Sequence, residues 1–220
     1  MANLFETFLQ NLRFRGKCRC GVPLDHPGIC DRCSEKRDRR ELTAMFEAAR
    51  ESIPEHFRKA KFDSLELSGY CGADSARAGL AMLDDLLAKT VDGITLMGQK
   101  GSGKTSLACA MLRAAIDRQH LIALRGRFIS CVDLGLARKD CRLGAKPWIV
   151  EDAEKASLLV LDELGKEADK GPIIEVICTR HDNEKPTIIT TPWLESELCA
   201  GYDGGIARRI LERSAVLRMG

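Results

Sequence analysis

Eight residues, Gly98-Gln99-Lys100-Gly101-Ser102-Gly103-Lys104-Thr105, restrict what this chain can become more than any other stretch. They fit G-x-x-x-x-G-K-[ST], and they lie between an apolar run, Ile94-Thr95-Leu96-Met97, and a helical pattern from Lys104 to Arg118. The glycines let the backbone curl so that its N–H groups point inward, and the following helix adds the positive end of its dipole. Such a loop is built to hold phosphate. Lys104 would place a point charge on the β- and γ-phosphates of ATP, and the Thr105 hydroxyl would ligate Mg²⁺. Gly98, Gln99, Lys100, Gly101, Ser102, Gly103, Lys104, Thr105 and the next residue, Ser106, are the expected nucleotide contacts. Lys100 occupies an unrestricted position of the pattern and also reads as an ordinary solvated side chain.

A second site follows from Leu158-Leu159-Val160-Leu161-Asp162-Glu163. An unbroken apolar run suits a central strand of a parallel sheet, and ligands bind at the carboxyl ends of such strands. Asp162 is then expected near Thr105, holding Mg²⁺ through water. Glu163 is expected to orient and polarise the attacking water. A glutamate directly after the metal aspartate favours ATP hydrolysis over transfer to a small molecule.

From about Pro54 onward, strand and helix patterns alternate, which implies an α/β domain with a mainly parallel sheet flanked by helices. Helices are predicted at Ser75–Lys89, Lys104–Arg118, within Val132–Ala156, near Pro172–Asn183 and at Gly205–Glu212. Strands are predicted at Gly93–Met97, Leu121–Ile129, Ser157–Leu161, Thr187–Thr191 and Ala215–Arg218. Residues 36–53 carry Leu42, Met45, Phe46 and Ala49 at helical spacing and should form a connecting helix stopped by Pro54. No run of about 18 apolar residues exists, so no membrane-spanning helix is expected, and the first residues do not resemble a secretory signal.

Four of the ten cysteines cluster in residues 1–35. Cys18-x-Cys20 and Cys30-x-x-Cys33 can each supply two thiolates from a tight turn, which together satisfy tetrahedral Zn²⁺. His26, between the pairs, could replace one sulfur. All four positions read as ligands, so the zinc would be structural, folding a region too small to bury its own core. Free cysteines elsewhere and no signal peptide point to a reducing, cytoplasmic setting. Between Arg13 and Arg40 lie nine Lys/Arg against four acids. Such a run suits either a solvated face or contact with nucleic acid or an acidic partner.

With both sites located, the chain resembles the DnaC/IstB group of AAA+ ATPases, which includes replicative-helicase loaders and ATPase subunits of transposition systems. The likeness spans about Ile53 to Met219. It rests on Ile53-Pro54 with Phe57 and Phe62, GQKGSGKT, LLVLDELG at 158–165, TIITTPW at 187–193 and RRILERSAVLRMG at 208–220. The resemblance implies an AAA+ domain at 54–220 without a C-terminal helical lid. It also implies a sensor at Thr190 or Thr191, although the group usually continues with Asn where this chain has Pro192. Arg209, with Arg208 beside it, would be an arginine finger for a neighbouring subunit, so ATP sites would drive self-association. A partner-docking role for residues 1–35 is implied too. The expected partners are a ring-shaped replicative helicase and single-stranded DNA, or, alternatively, a transposase and duplex DNA.

Overall fold

The computed structural model describes residues 16–25, 28–62, 71–139 and 145–220. The His26 expectation lies outside the described residues. The chain divides into two compact units between Ala44 and Met45.

In the first unit, strands β1 (Gly16–Lys17) and β2 (Pro23–Leu24) form an antiparallel hairpin with Gly16 opposite Leu24. Sequence patterning missed this hairpin, because strands of two residues carry no periodicity. Helix α1 (Asp31–Glu51) follows. It continues past Ala44 into the second unit, where Phe46 and Ala49 of its predicted apolar stripe are part of the core, whereas Leu42 is exposed.

The second unit is built on five parallel strands: β3 (Gly93–Gly98), β4 (Arg127–Ser130), β5 (Leu159–Asp162), β6 (Thr187–Thr191) and β7 (Ser214–Met219). Their order across the sheet is β4-β5-β6-β3-β7. Every residue of β5 is buried, as are Ile188 to Thr191 of β6, which is why these strands read as unbroken apolar or threonine runs. Side chains alternate between the two faces. Ile94, Leu96, Val160 and Ile188 meet helices α2 (Ala73–Leu87) and α3 (Lys104–Asp117) through Leu83, Leu86, Leu107 and Met111. On the other face, Met97, Leu159, Leu161 and Ile189 meet α4 (Cys131–Leu136), α5 (Trp148–Lys155), α6 (Gly171–Asp182), α7 (Glu195–Gly201) and α8 (Gly204–Leu211).

The sheet differs from expectation at one strand, and one helix is added. The strand predicted over Leu121–Ile129 is a 3₁₀ turn at Leu121–Ala123 followed by the short strand β4. His120 opens that turn by accepting the Ile122 N–H on Nδ1 at 3.3 Å, and Gly126 N–H closes onto Ala123 O at 3.0 Å. Local capping outweighs an apolar run here. Helix α7 was not foreseen. Its start is held by the Glu197 carboxylate, which accepts the Leu194 N–H at 2.7 Å, a pairing common at helix starts.

Candidate functional site: a phosphate loop facing two acids

All five strands point the same way, so Gly98, Asp162 and Thr191 arrive at one edge of the sheet. Strand β6 lies between β3 and β5 and therefore brings Thr190 between the phosphate loop and the acids.

Gly98 ends β3 with φ 140°, and a Cβ there would lie 1.8 Å from Met219 O. Only glycine lets the loop leave the sheet at this point. Gly101 and Gly103 also have positive φ, 90° and 83°, and α3 starts immediately afterwards at Lys104. Lys104 is buried, and its Nζ donates to Gly98 O at 2.6 Å, Gln99 O at 2.6 Å and Ser102 Oγ at 3.2 Å. Burial lowers its pKa, and the Asp162 carboxylate opposes that shift. All three ammonium donors thus rest on the loop's own oxygens, acceptors of the kind that phosphate oxygens would replace.

The two carboxylates differ. Asp162 is buried, and its Oδ1 accepts from Thr105 Oγ1 at 2.9 Å and from Thr190 Oγ1 at 2.6 Å. Burial raises its pKa, and the two hydroxyls pull the other way. Glu163 is part exposed and sits at φ 60°, a left-handed conformation uncommon for a non-glycine residue. Its N–H donates to Thr190 Oγ1 at 2.9 Å, and Leu164 N–H donates to Thr190 O at 2.9 Å. The Glu163 carboxylate pairs with Lys166 Nζ.

Of the two candidate threonines, Thr190 is the one joined to Asp162. Thr191 turns away, donating to Leu164 O at 2.8 Å and accepting the Trp193 N–H at 3.1 Å. A cavity of about 280 Å³ opens over these groups, lined among others by Phe57, Lys100, Thr105, Ser106, Glu163 and Lys166. Phe57 and Lys166 were not foreseen as part of it. The Ile53-Pro54…Phe57 segment gave a signal for the first, and nothing in the pattern marked the second.

Arg209 is not brought to this cavity. It lines a different one, beside Asp92, Gly93, Thr187 and Ser214 at the opposite, starting end of the strands. Its Nε is buried without a hydrogen-bond partner and lies 4.0 Å from Asp182 Oδ1. Arg208 is more exposed and lies 3.9 Å from Glu212.

In the first unit, Cys18, Cys20, Cys30 and Cys33 place their Sγ atoms all within 4.8 Å of one another, with Cys20 and Cys30 at 3.4 Å. A zinc tetrathiolate with bonds near 2.3 Å has sulfur–sulfur edges of about 3.8 Å, so the four thiols fit the ion with small adjustments. Local backbone explains the placement. Gly21, at φ 91°, closes a turn onto Cys18 O at 2.8 Å, while Cys33 lies in the first turn of α1 just after Cys30. The neighbouring Cys20, Cys18 and Cys30 side chains push the Cys33 thiol up to about 12, while backbone N–H groups of Cys20 and Cys30 pull the Cys18 thiol down to about 6. Such hydrogen bonding favours the thiolate that a metal binds. The cluster could hold zinc.

Comparison with known proteins agrees with this architecture. The profile of the family described as IstB-like ATP binding protein matches residues 27–213. Among solved structures, the chain is similar to the DnaC helicase loader, with TM-score 0.59 and 24% identity, over 76% of this chain and 100% of that one. It is also similar to DnaI, with TM-score 0.64 and 18% identity, over 76% and 95% of the two chains. AMPPCP-bound DnaA from Aquifex aeolicus is a further match, with TM-score 0.51 and 20% identity, over 65% of this chain and 46% of that one. At these identities the likeness is one of fold. No curated protein matches the chain by sequence. Among the described residues, no helix is long and apolar enough to cross a membrane.

Proposed function

This chain belongs to the IstB-like ATP-binding protein family, of the DnaC/IstB type of AAA+ ATPase, and we propose that it is an ATP-hydrolysing loader of a ring-shaped replicative helicase. The observation that carries the ATPase reading is the convergence of Lys104, Thr105, Asp162, Glu163 and Thr190 on one sheet edge. Lys104 exchanges its loop carbonyls for the β- and γ-phosphates of ATP. Thr105 and Asp162, already hydrogen-bonded to each other, would hold Mg²⁺, which neutralises charge on the phosphates when bound. Glu163 accepts a proton from the attacking water, and Thr190 holds the backbone at Glu163 in place. Arg209, remote from its own chain's phosphate loop, completes the site of a neighbouring subunit and stabilises charge on the transferred phosphoryl group. Hydrolysis therefore requires self-association.

The loader reading is supported by the extent of the likeness to DnaC and DnaI, which covers three quarters of this chain and nearly all of theirs. Residues 1–35, held by structural zinc on Cys18, Cys20, Cys30 and Cys33, act as the docking head for the helicase. The ATPase domain, 54–220, engages single-stranded DNA in the cytoplasm. A second reading is an accessory ATPase that works beside a transposase on duplex DNA; it is supported by the match to the IstB-like family, since the DnaC/IstB group includes ATPase subunits of transposition systems.

A pull-down from host lysate with the Glu163→Gln protein in Mg-ATP separates the two. Retention of a hexameric replicative helicase supports the loader. Retention of a transposase, or of duplex DNA with no helicase, supports the second reading and contradicts the first. The purified protein is expected to carry one zinc per chain by elemental analysis, and Cys33→Ser should lose both the metal and the helicase while still binding Mg-ATP. A metal-free protein that retains the helicase would contradict the docking-head proposal.

A further inference from the structure

Lys166 has no place in the machinery described so far, yet it lines the phosphate cavity and pairs with the Glu163 carboxylate. Three features make that pairing more than an incidental surface contact. First, the backbone on both sides is held. Glu163 is fixed by Thr190, and Lys166 N–H donates to Glu163 O at 3.1 Å, closing a tight turn. The direction of the Glu163 carboxylate is then the main freedom left, and Lys166 sets it. Second, both side chains are about 40% exposed, at 41% and 38%, so the pair sits in high dielectric and is easily exchanged. Third, Lys166 is one of three lysines that line this cavity, with Lys100 and Lys104, and it lies close enough to Lys104 and Asp162 to influence the charge of each. Without nucleotide, two of these amines rest on acceptors from their own chain: Lys104 on loop oxygens, Lys166 on the carboxylate proposed to activate water.

We infer that Lys166 is a positioning residue that holds Glu163 away from the attacking water until the γ-phosphate of ATP takes Lys166 in exchange. Occupancy of the γ-phosphate position and release of the general base then become one event. ADP, lacking that phosphate, leaves the pair closed. The inference rests on the hydrolytic reading of the site and adds the order in which its parts engage.

The test is a double-mutant cycle read by equilibrium binding of Mg-AMPPCP and Mg-ADP to the full chain. Glu163→Gln frees Lys166 without adding a charge. It is expected to tighten AMPPCP about fivefold, the scale of one exposed ion pair, and to leave ADP unchanged. In a Lys166→Ala background the same Glu163→Gln change should alter AMPPCP binding less than about twofold. Lys166→Ala alone should weaken AMPPCP relative to ADP. Far-UV circular dichroism and a melting temperature close to those of the unaltered protein show that the fold is intact in the three variants. Equal tightening in both backgrounds would overturn the inference, since the effect would then be simple repulsion between Glu163 and ATP. A Lys166→Ala protein weakened equally for AMPPCP and ADP would overturn it as well. Either result leaves the ATPase reading standing; that reading fails separately if the unaltered protein binds neither nucleotide.

Discussion

Lys104→Ala is expected to lower affinity for Mg-ATP by roughly a hundredfold to ten-thousandfold, since two charge-assisted hydrogen bonds at about 1.5–3 kcal/mol each are lost and about 1.4 kcal/mol is tenfold. The same change should leave the melting temperature of the nucleotide-free protein within a few degrees. The asymmetry follows from what the amine does in the two states. In the free protein it is desolvated, which is unfavourable, and it is offset by the oxygens of Gly98, Gln99 and Ser102. Removing it abolishes both contributions together, so they largely cancel. With ATP bound, the alanine leaves phosphate charge uncompensated in a partly buried loop, and nothing cancels. Titration calorimetry together with a thermal melt checks both halves. Tight ATP binding by the variant would refute the phosphate-loop assignment.

The other large effect is on stability and lies far from the nucleotide. Arg180→Met should destabilise the protein by about 2–5 kcal/mol, the cost of leaving two buried carbonyls unsatisfied and a large share of the 5–15 kcal/mol that holds a typical domain together. Arg180 is 1% exposed and makes no ion pair among the described residues. Its Nη1 donates to Ala153 O at 2.8 Å and Ala156 O at 2.7 Å, at the carboxyl end of α5. Its Nη2 donates to Pro186 O at 2.6 Å, and its Nε to Thr187 Oγ1 at 2.9 Å, where β6 begins. Burial pulls the guanidinium down to about 9, which still leaves it charged at neutral pH. One planar group thus serves four acceptors, two of them fully buried, and a cation at a helix C-terminus also meets the negative end of the dipole. Methionine fills similar space but strands the two buried carbonyls of Ala153 and Ala156. Arg180→Lys keeps the charge yet cannot span the same acceptors, so an intermediate loss is expected. Urea unfolding measures both variants; a loss below about 1 kcal/mol for Arg180→Met would show that water reaches these carbonyls.

What was legible in the sequence divides along physical lines. The phosphate loop and the Asp162-Glu163 pair could be read because each needs particular residue types at contiguous positions, with an apolar strand beside them. Strand order could not be read, and the choice between Thr190 and Thr191 depended on it. Adjacent residues on a strand face opposite ways, so only the insertion of β6 between β3 and β5 decides which hydroxyl meets Asp162. The same limit hid the seat of Trp193. A Cβ on Gly165 would meet its ring at 2.8 Å and one on Gly201 at 2.4 Å, so two glycines 36 positions apart make room for one side chain. Each glycine alone looks like a turn. The Leu121–Ile129 segment was misread because apolar content does not reveal a turn closed by local hydrogen bonds. Lys166 escaped notice because an exposed lysine after a turn has no distinguishing pattern. Its importance arises only from the cavity it shares with Lys104 and Glu163.

The proposed ATP site is shared between subunits, with Glu163 from one chain and Arg209 from the next. Turnover of Mg-ATP by mixtures of Arg209→Ala and Glu163→Gln proteins tests it most directly. Each variant alone should bind ATP and hydrolyse almost none. Mixing should restore turnover, with a maximum near equal proportions, because some interfaces then combine an intact Glu163 with an intact Arg209. No recovery at any ratio, with both variants still binding ATP, would contradict a finger acting between chains.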